Sequence, residues 1–155
     1  MIIRRAVLED ADRLVEMRRT FQQEAKGNPG SEAFARSVKA YLEKHIPAGT
    51  CIVWLAEEGE EVACCAMLSC VEELPTLANP GGRKGYLHNV FTLPAYRRQG
   101  LAEKVVKGCL QSAKEWGAGL VHLGATAAGR PLYEKLGFQL LDGEMELDLQ
   151  AESAL

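Results

Sequence analysis

The segment 96–102, Tyr-Arg-Arg-Gln-Gly-Leu-Ala, constrains the fold of this chain more than any other. It follows an apolar run with strand character, Leu87 to Leu93, and precedes apolar residues at helical spacing that begin at Leu101. A strand, a turn containing Gly100 and the start of a helix expose several backbone N–H groups that have no partner inside the helix. Together with the helix dipole these donors form an anion site, and a phosphorylated ligand is its natural occupant.

The remaining residues alternate between strand and helix patterns. The predicted strands are 2–6, 50–57, 61–71, 86–93, 120–123, 138–141 and 144–149. The predicted helices are 11–26, about 31–45, a helix from 101 onward and about 128–136. We expect Asp10 and Ser31 to be N-caps, Pro47 and Gly49 to end the second helix, and Gly137 to follow the last one.

This order, β-α-α-β-β-β-α-β-α-β-β, predicts a mixed α/β fold. The strand–helix–strand unit in the second half requires a parallel pair with a right-handed crossover. Two short turns, 58–60 and 142–143, predict antiparallel hairpins, and the irregular stretch 72–84 predicts a surface loop near the site. The expected architecture is one mixed sheet with helices on both faces.

The bulk properties fit one ordinary domain. A chain of 155 residues can bury enough surface to fold alone, and we expect one domain over 1–150 with a frayed tail at 151–155. A net charge of −3 gives no reason to expect nucleic acid as a partner. No apolar run approaches the ~20 residues of a membrane span, and no signal peptide is evident. We therefore expect a cytoplasmic protein without a membrane partner.

The five cysteines are expected to be free, buried thiols. Most of them lie in apolar runs, and no Cys-x-x-Cys motif occurs. The adjacent Cys64 and Cys65 would point to opposite faces of a strand. A reducing compartment is the simplest interpretation, with a catalytic thiol as the alternative.

Two motifs give the chain a specific resemblance. The run 97–102 matches the pattern of Arg or Gln, two residues, Gly, one residue, and Gly or Ala, after Leu93-Pro94 and Tyr96. Downstream, Tyr133 and the pair Gly137-Phe138 match Tyr-x-x-x-Gly-Phe. With this spacing the chain resembles the GNAT superfamily of N-acetyltransferases. A nucleotide P-loop is excluded because Gly-Lys-Ser/Thr is missing, and no Gly-x-Gly-x-x-Gly is present.

The resemblance implies acetyl-CoA as co-substrate, and we expect no metal. The backbone amides of the turn would hold the pyrophosphate; they belong to Arg98, Gln99, Gly100, Leu101 and Ala102. The main chain of Val90, Phe91 and Thr92 would pair with the pantetheine arm, along a strand edge that family members free with a bulge. Arg97 would add charge at the phosphates, with a solvated loop charge as its alternative. Thr126 stands where many members have an Asn that contacts the pantetheine.

The resemblance also implies catalytic roles. Tyr133 resembles the family's general acid, and a phenol that stays protonated at neutral pH can donate to the departing thiolate. The alternative for Tyr133 is packing, with its hydroxyl bonded to a carbonyl. His88 lies nine residues before Arg97, where some members carry a base, and imidazole suits proton removal near pH 7. A structural role for His88 is the alternative.

Other routes to deprotonation stay open. Glu57, Glu72 or Glu73 could act through water, or a neutral amine could need no base. An oxyanion donor is expected from a main-chain N–H near Phe91 or Thr92. His45 and His122 are interpreted as structural.

The acceptor is the least constrained part. The first two helices and the loop 72–84 would form its wall, with Glu24, Glu32, Glu72, Glu73, Arg18, Arg19 and Lys84. Such mixed charge fits a cationic amine, although helix charges are commonly solvated. We expect transfer of an acetyl group to a small-molecule primary amine. The alternatives are a protein lysine or N-terminal amine, or a non-catalytic acyl-CoA-binding sensor. A free sheet edge and an exposed C-terminal hairpin would also allow a homodimer.

Overall fold

The computed structural model describes residues 1–150, so the predicted frayed tail at 151–155 lies outside them. Within that range the strands are β1 Ile2–Arg5, β2 Cys51–Glu58, β3 Glu61–Glu72, β4 Arg83–Thr92 and β5 Leu120–Leu123. The helices are α1 Ala11–Lys26, α2 Glu32–Ala48, α3 Leu101–Trp116 and α4 Arg130–Lys135. Two short 3-10 turns, Leu8–Asp10 and Pro94–Tyr96, precede α1 and α3.

The strands form one mixed sheet in the order β1-β2-β3-β4-β5. The first four strands are antiparallel to their neighbours, and β5 pairs parallel to β4 after the crossover through α3. The β2–β3 connection is the short turn that Gly59 and the residues beside it predict, with Glu58 opposite Glu61. The predicted mixed sheet and its parallel pair are therefore confirmed.

Alternate residues of β2 show how the helices cover both faces. Val53 and Leu55 belong to the buried cluster that α1 and α2 complete. Trp54 points the other way and donates from its indole N–H to the Ser112 hydroxyl of α3 at 3.0 Å. The Cα of Gly108 lies so close to this indole that an added Cβ would be 2.4 Å from the ring. A glycine is thus required where α3 crosses the sheet.

The first helix starts as predicted but for a different reason. Asp10 occupies the position before α1, yet its side chain makes no cap hydrogen bond to that helix. Its carboxylate accepts from the Val7 N–H at 2.8 Å and from the Arg4 guanidinium at 2.8 and 2.9 Å. Arg13 and Glu57 complete this network. Asp10 therefore holds the predicted N-cap position of α1, but its side chain does not cap the helix, because charged donors compete more strongly than the helix amides.

The second helix also ends differently. Ser31 caps it as predicted and accepts from the Phe34 N–H at 3.1 Å. Pro47, however, lies inside the last turn, and Gly49 ends the helix with φ 76°. Pro47 lacks an N–H to donate, but α2 continues for one residue beyond it. The left-handed Gly49 therefore marks the end of the helix.

The prediction of a C-terminal hairpin was wrong. The structure assigns no strand within 138–150, although Gly143 has the positive φ of a turn. The apolar residues that suggested alternation are exposed there, namely Leu140, Leu141, Met145, Leu147 and Leu149. Alternation predicts a strand only if one face is buried, and an isolated hairpin is marginal in water.

The chain divides into two compact units, Met1–Gly124 and the residues from Ala125 onward. The first contains the whole sheet with α1, α2 and α3. The second contains α4, which is shorter than predicted and is followed by Gly137 with φ 97°. A single domain over 1–150 stays a prediction. No helix in residues 1–150 is long and apolar enough to cross a membrane.

Candidate active site

Strand β4 changes character at its midpoint. Its first half pairs with β3 on one side and with β5 on the other, where Lys84 lies opposite Leu120 and Leu87 opposite Leu123. That parallel pairing ends at Leu87, so within residues 1–150 the stretch 88–92 has no partner strand on the β5 side. A free edge of this kind is what an extended ligand needs to add itself as a strand.

A bulge marks the change. Cys65 pairs with Phe91 and Met67 with His88, so two steps along β3 match three steps along β4. The extra residue on β4 bends the strand at Asn89, whose φ is 52°. Asn is among the few residues that tolerate this left-handed conformation. The bulge explains why the second half of β4 no longer pairs with β5.

Asn89 was missed in the sequence predictions. It is buried, its Nδ2 donates to the Cys65 sulfur at 3.5 Å, and its Oδ1 accepts from the Arg18 guanidinium at 3.3 Å. The available signal was an Asn inside an apolar strand pattern, because Asn is depleted from strands and favours positive φ.

The turn after β4 opens a set of backbone donors. Arg98 and Gly100 both adopt left-handed conformations, with φ 65° and 73°, immediately before α3. The N–H groups of Arg98, Gln99 and Gly100 have no backbone acceptor in the part of the chain described. The first amides of α3 are unpaired by helix geometry as well. Successive turn amides at a helix N-terminus form an anion-binding concavity.

Arg97 is fixed by contacts within the protein. Its guanidinium bonds both carboxylate oxygens of Glu24 at 2.8 Å, and its Nε donates to the Thr92 carbonyl at 2.9 Å. It also lies 5.6 Å from the ring centroid of Phe91. These contacts tie the turn to α1, which favours a positioning role. Direct binding of phosphate by Arg97 stays a prediction.

His88 is the first residue of the free half of β4. The residue is exposed as a whole, but one side of its ring packs on Tyr86 with 4.6 Å between centroids. Surrounding protein atoms and the cationic Arg18 both disfavour its charged form, which lowers the pKa of His88 below its usual value. The imidazole is therefore neutral at pH 7 and able to accept a proton.

The carboxylates considered as alternative bases are engaged elsewhere. Glu57 is held by Arg4 and Arg13, whose hydrogen bonds lower its pKa. Glu72 lies 3.5 Å from Arg83, and Glu73 lies 2.7 Å from Lys84. These ion pairs weaken the case for all three as proton acceptors and favour His88.

The remaining predicted residues lie in the second unit. Tyr133 is buried, it packs edge-on against Phe138 at 5.8 Å, and burial raises the pKa of its phenol. The side-chain hydrogen bonds of residues 125–150 do not involve its hydroxyl, so a bond from this hydroxyl to a carbonyl of the same unit is not observed. The Thr126 hydroxyl accepts from the Gly129 N–H at 3.1 Å and thereby organises the start of α4.

The cysteines are free and buried, as predicted. Burial raises the pKa of Cys51 to about 12 and that of Cys64 to about 11, so neither is a thiolate at neutral pH. This argues against a catalytic thiol. His45 is structural, because its Nδ1 bonds the Thr50 hydroxyl at 2.7 Å.

The first unit thus brings the predicted pantetheine strand, the turn amides and His88 onto one continuous segment, 88–102. Such a segment offers main-chain hydrogen bonds to an extended arm and backbone donors to a diphosphate, and it carries a neutral imidazole at its start. This combination suits an elongated, phosphorylated cofactor.

Sequence comparison agrees with this class of site. The profile of the Acetyltransferase (GNAT) family matches residues 12–138. The chain therefore belongs to the GNAT family of acetyltransferases.

A curated relative matches over less of the chain than the family profile does. A glucosamine 6-phosphate N-acetyltransferase of Trypanosoma brucei brucei is 31% identical over 75 residues, which cover 48% of this chain and 51% of that protein. This chain thus matches about half the length of that curated relative.

Solved structures match over nearly the whole chain. The crystal structure of a predicted acetyltransferase from Clostridium acetobutylicum with acetyl-CoA has 30% identity and a TM-score of 0.86, covering 96% of each chain. A GCN5-related N-acetyltransferase from Ralstonia eutropha JMP134 has 21% identity and a TM-score of 0.82, covering 97% of this chain and 99% of its own. At that lower identity the second match shows the fold alone.

Proposed function

We propose that this protein transfers the acetyl group of acetyl-CoA to a primary amine of a small molecule. The observation that carries the proposal is the continuous segment formed by the bulged half of β4 and the left-handed turn before α3. The similarity to an acetyltransferase crystallised with acetyl-CoA supports this choice of cofactor over other diphosphates.

In this proposal the cofactor lies along the first unit. The amides of Arg98, Gln99, Gly100, Leu101 and Ala102 bind the pyrophosphate. The main chain of Val90, Phe91 and Thr92 pairs with the pantetheine arm. Thr126 gives a further contact to that arm through its hydroxyl, which can still donate while it accepts from Gly129.

The reaction is a direct transfer. His88 removes a proton from the acceptor ammonium, and the amine nitrogen attacks the thioester carbonyl to give a tetrahedral intermediate. A main-chain N–H near Phe91 or Thr92 stabilises the oxyanion. As the C–S bond breaks, Tyr133 gives its proton to the CoA thiolate, and the attacking nitrogen loses its second proton to solvent to leave a neutral amide. The proton on His88 then returns the phenol to its neutral state through solvent.

Two alternatives are kept. A lysine or N-terminal amine of a protein would use the same chemistry on a larger acceptor. A sensor would bind acyl-CoA without turnover. The small-molecule choice is supported by the name of the trypanosomal relative, whose substrate is an amino sugar phosphate. A single domain of residues 1–150, a homodimer and a cytoplasmic location belong to the same proposal.

The direct test is a screen of amines with acetyl-CoA that measures the release of free CoA thiol. The panel contains amino sugars and their phosphates, amino acids, polyamines and lysine peptides. Acetylation of at least one small amine supports the proposal. Turnover with peptides alone favours a protein substrate, and acetyl-CoA binding without any turnover favours the sensor.

Replacing Tyr133 with Phe separates an enzyme from a sensor. Loss of a general acid should lower kcat by about 10²–10⁴-fold while the Kd for acetyl-CoA is unchanged. Tyr41→Phe is the matched control, because it removes a hydroxyl that bonds the Ser69 hydroxyl instead. If Tyr133→Phe turns over at the wild-type rate, Tyr133 is not the acid.

A further inference from the structure

The acidic residues of the expected acceptor wall are neutralised by partners. The pairs are Glu24 with Arg97, Glu32 with Arg19, Glu72 with Arg83 and Glu73 with Lys84. The mixed charge that favoured a purely cationic acceptor therefore cancels within the protein.

Arg18 is different from these arginines. Within residues 1–150 no carboxylate lies within ion-pair distance of it, although it projects from the same helix as Arg13, which is doubly paired. Its side chain is partly buried, and its guanidinium lies 6.0 Å from the ring centroid of Phe21. A partly desolvated cation without a counter-ion is unfavourable, and burial lowers the pKa of Arg18.

Among residues 1–150, the one hydrogen bond of the Arg18 side chain connects it to the β4 bulge. Its guanidinium donates to Oδ1 of Asn89, and the other end of that amide is fixed by its bond to Cys65. Asn89 is the left-handed residue of the β4 bulge, and His88 precedes it. Arg18 also contributes to the lowered pKa of His88, so the two side chains are close enough to influence each other.

We propose that Arg18 binds an anionic group of the acceptor, a carboxylate or a phosphate ester, while the acceptor's amine faces His88. The acceptor class is then an amine that carries its own negative charge. A planar guanidinium suits this role because it can donate two parallel hydrogen bonds to such a group. This inference rests on the proposed acetyl transfer and assigns the chemistry of its second substrate.

The inference is tested with matched amines that differ in one anionic group. Phenylalanine is compared with phenylalaninamide, and O-phosphoethanolamine with ethanolamine, so the two pairs separate carboxylate from phosphate. Arg18→Gln should lower kcat/KM for the preferred anionic member about 10–100-fold more than for its neutral partner, the range expected for a lost charge-assisted hydrogen bond. For each amine, kcat/KM of the variant is divided by kcat/KM of the wild type, which cancels differences in basicity between the amines.

Two further variants control for charge and folding. Arg18→Lys keeps the charge but loses the planar fork, and it should restore part of the preference. Arg36→Gln removes an exposed cation from α2 and should leave both members of each pair unchanged. Equal effects of Arg18→Gln on anionic and neutral amines, or a wild-type preference for the neutral members, would overturn the proposal.

A second measurement does not depend on turnover. The side-chain Nε–H resonance of Arg18, assigned by its absence in Arg18→Lys, is followed by NMR during titration with inorganic phosphate. A saturable shift supports the anion site, and no shift contradicts it. Calorimetry with acetyl-CoA runs in parallel, so a protein that binds phosphate at Arg18 but not acetyl-CoA would overturn the proposed function and not the anion site.

Discussion

The two halves of β4 belong to one strand but differ in pairing and in backbone geometry. Residues 84–87 are held on both sides by β3 and β5, and Gly85 is so enclosed that an added Cβ would lie 2.9 Å from Leu68. Residues 88–92 contain the bulge at Asn89 and have no partner strand on the β5 side within residues 1–150. The first half is a structural support, and the second half with the turn that follows is the proposed site.

The comparison indicates that a sheet can contain a short stretch of unpaired main chain at a small cost in folding free energy. A strand edge left open over a few residues, next to a fully paired stretch, stays ordered because its neighbour is fixed. We expect substitutions in the paired half to reduce folding stability and to leave acetyl-CoA binding unchanged. Substitutions in the open half and its turn should weaken acetyl-CoA binding more than they reduce stability.

The largest effect is expected in the turn. Gly100→Val places a β-branched side chain at φ 73°, which strains the turn and displaces its amides. Loss of two charge-assisted hydrogen bonds would weaken acetyl-CoA binding on the order of 10²–10⁴-fold, measured by calorimetry.

Gly49→Val is the matched control for Gly100→Val. Gly49 has φ 76° and, like Gly100, open space around its Cβ position. Both variants should lose a similar amount of thermal stability, but Gly49→Val should bind acetyl-CoA normally. Equal binding by the two variants would contradict the role of the turn.

A smaller effect is expected at the first residue of the open half. Because the pKa of His88 lies below its usual value, its neutral form appears as pH rises through that lowered pKa, and kcat/KM should rise with it. His88→Gln should remove this acidic limb and lower the rate by about 10²-fold at pH 7. His45→Gln, which alters the structural histidine, should keep the limb. If the acidic limb of the kcat/KM–pH profile remains in His88→Gln, another group and not His88 accepts the proton.

The smallest effect on the reaction is expected in the paired half. Gly85→Val forces a side chain against Leu68 and Val121, and overpacking of this kind costs about 1–3 kcal/mol of unfolding free energy. Gly81→Val, at an open loop position, should cost little by comparison. Chemical denaturation measures both. If folded Gly85→Val binds acetyl-CoA more weakly than wild type, the two halves are not independent.

Local patterns in the sequence were sufficient for much of the fold. The bounds of α1 and of β5 were predicted without error, because each is a periodic or apolar run between clear breaks. The beginning of β4 was predicted three residues late, since Arg83 and Lys84 read as loop and only pairing with β3 makes them strand. The C-terminal hairpin failed for the related reason that alternation does not reveal whether a face is buried.

The position of the candidate site could be predicted from the sequence, but the side-chain contacts around it could not. The turn was evident because a glycine between a strand and a helix N-terminus is typical of an anion-binding turn. The pairing of Glu24 with Arg97, the bulge at Asn89 and the isolation of Arg18 all depend on residues far apart in the chain. Sequence spacing suggested the charges of the wall but could not show which of them cancel.

Calorimetric titration of the folded wild-type protein with acetyl-CoA, and separately with CoA, tests the central claim most directly. Both ligands should bind saturably at 1:1, since the diphosphate and pantetheine are common to them. Absence of heat with either ligand, on protein whose fold is confirmed by circular dichroism, would contradict the assignment of the turn and of everything built on it.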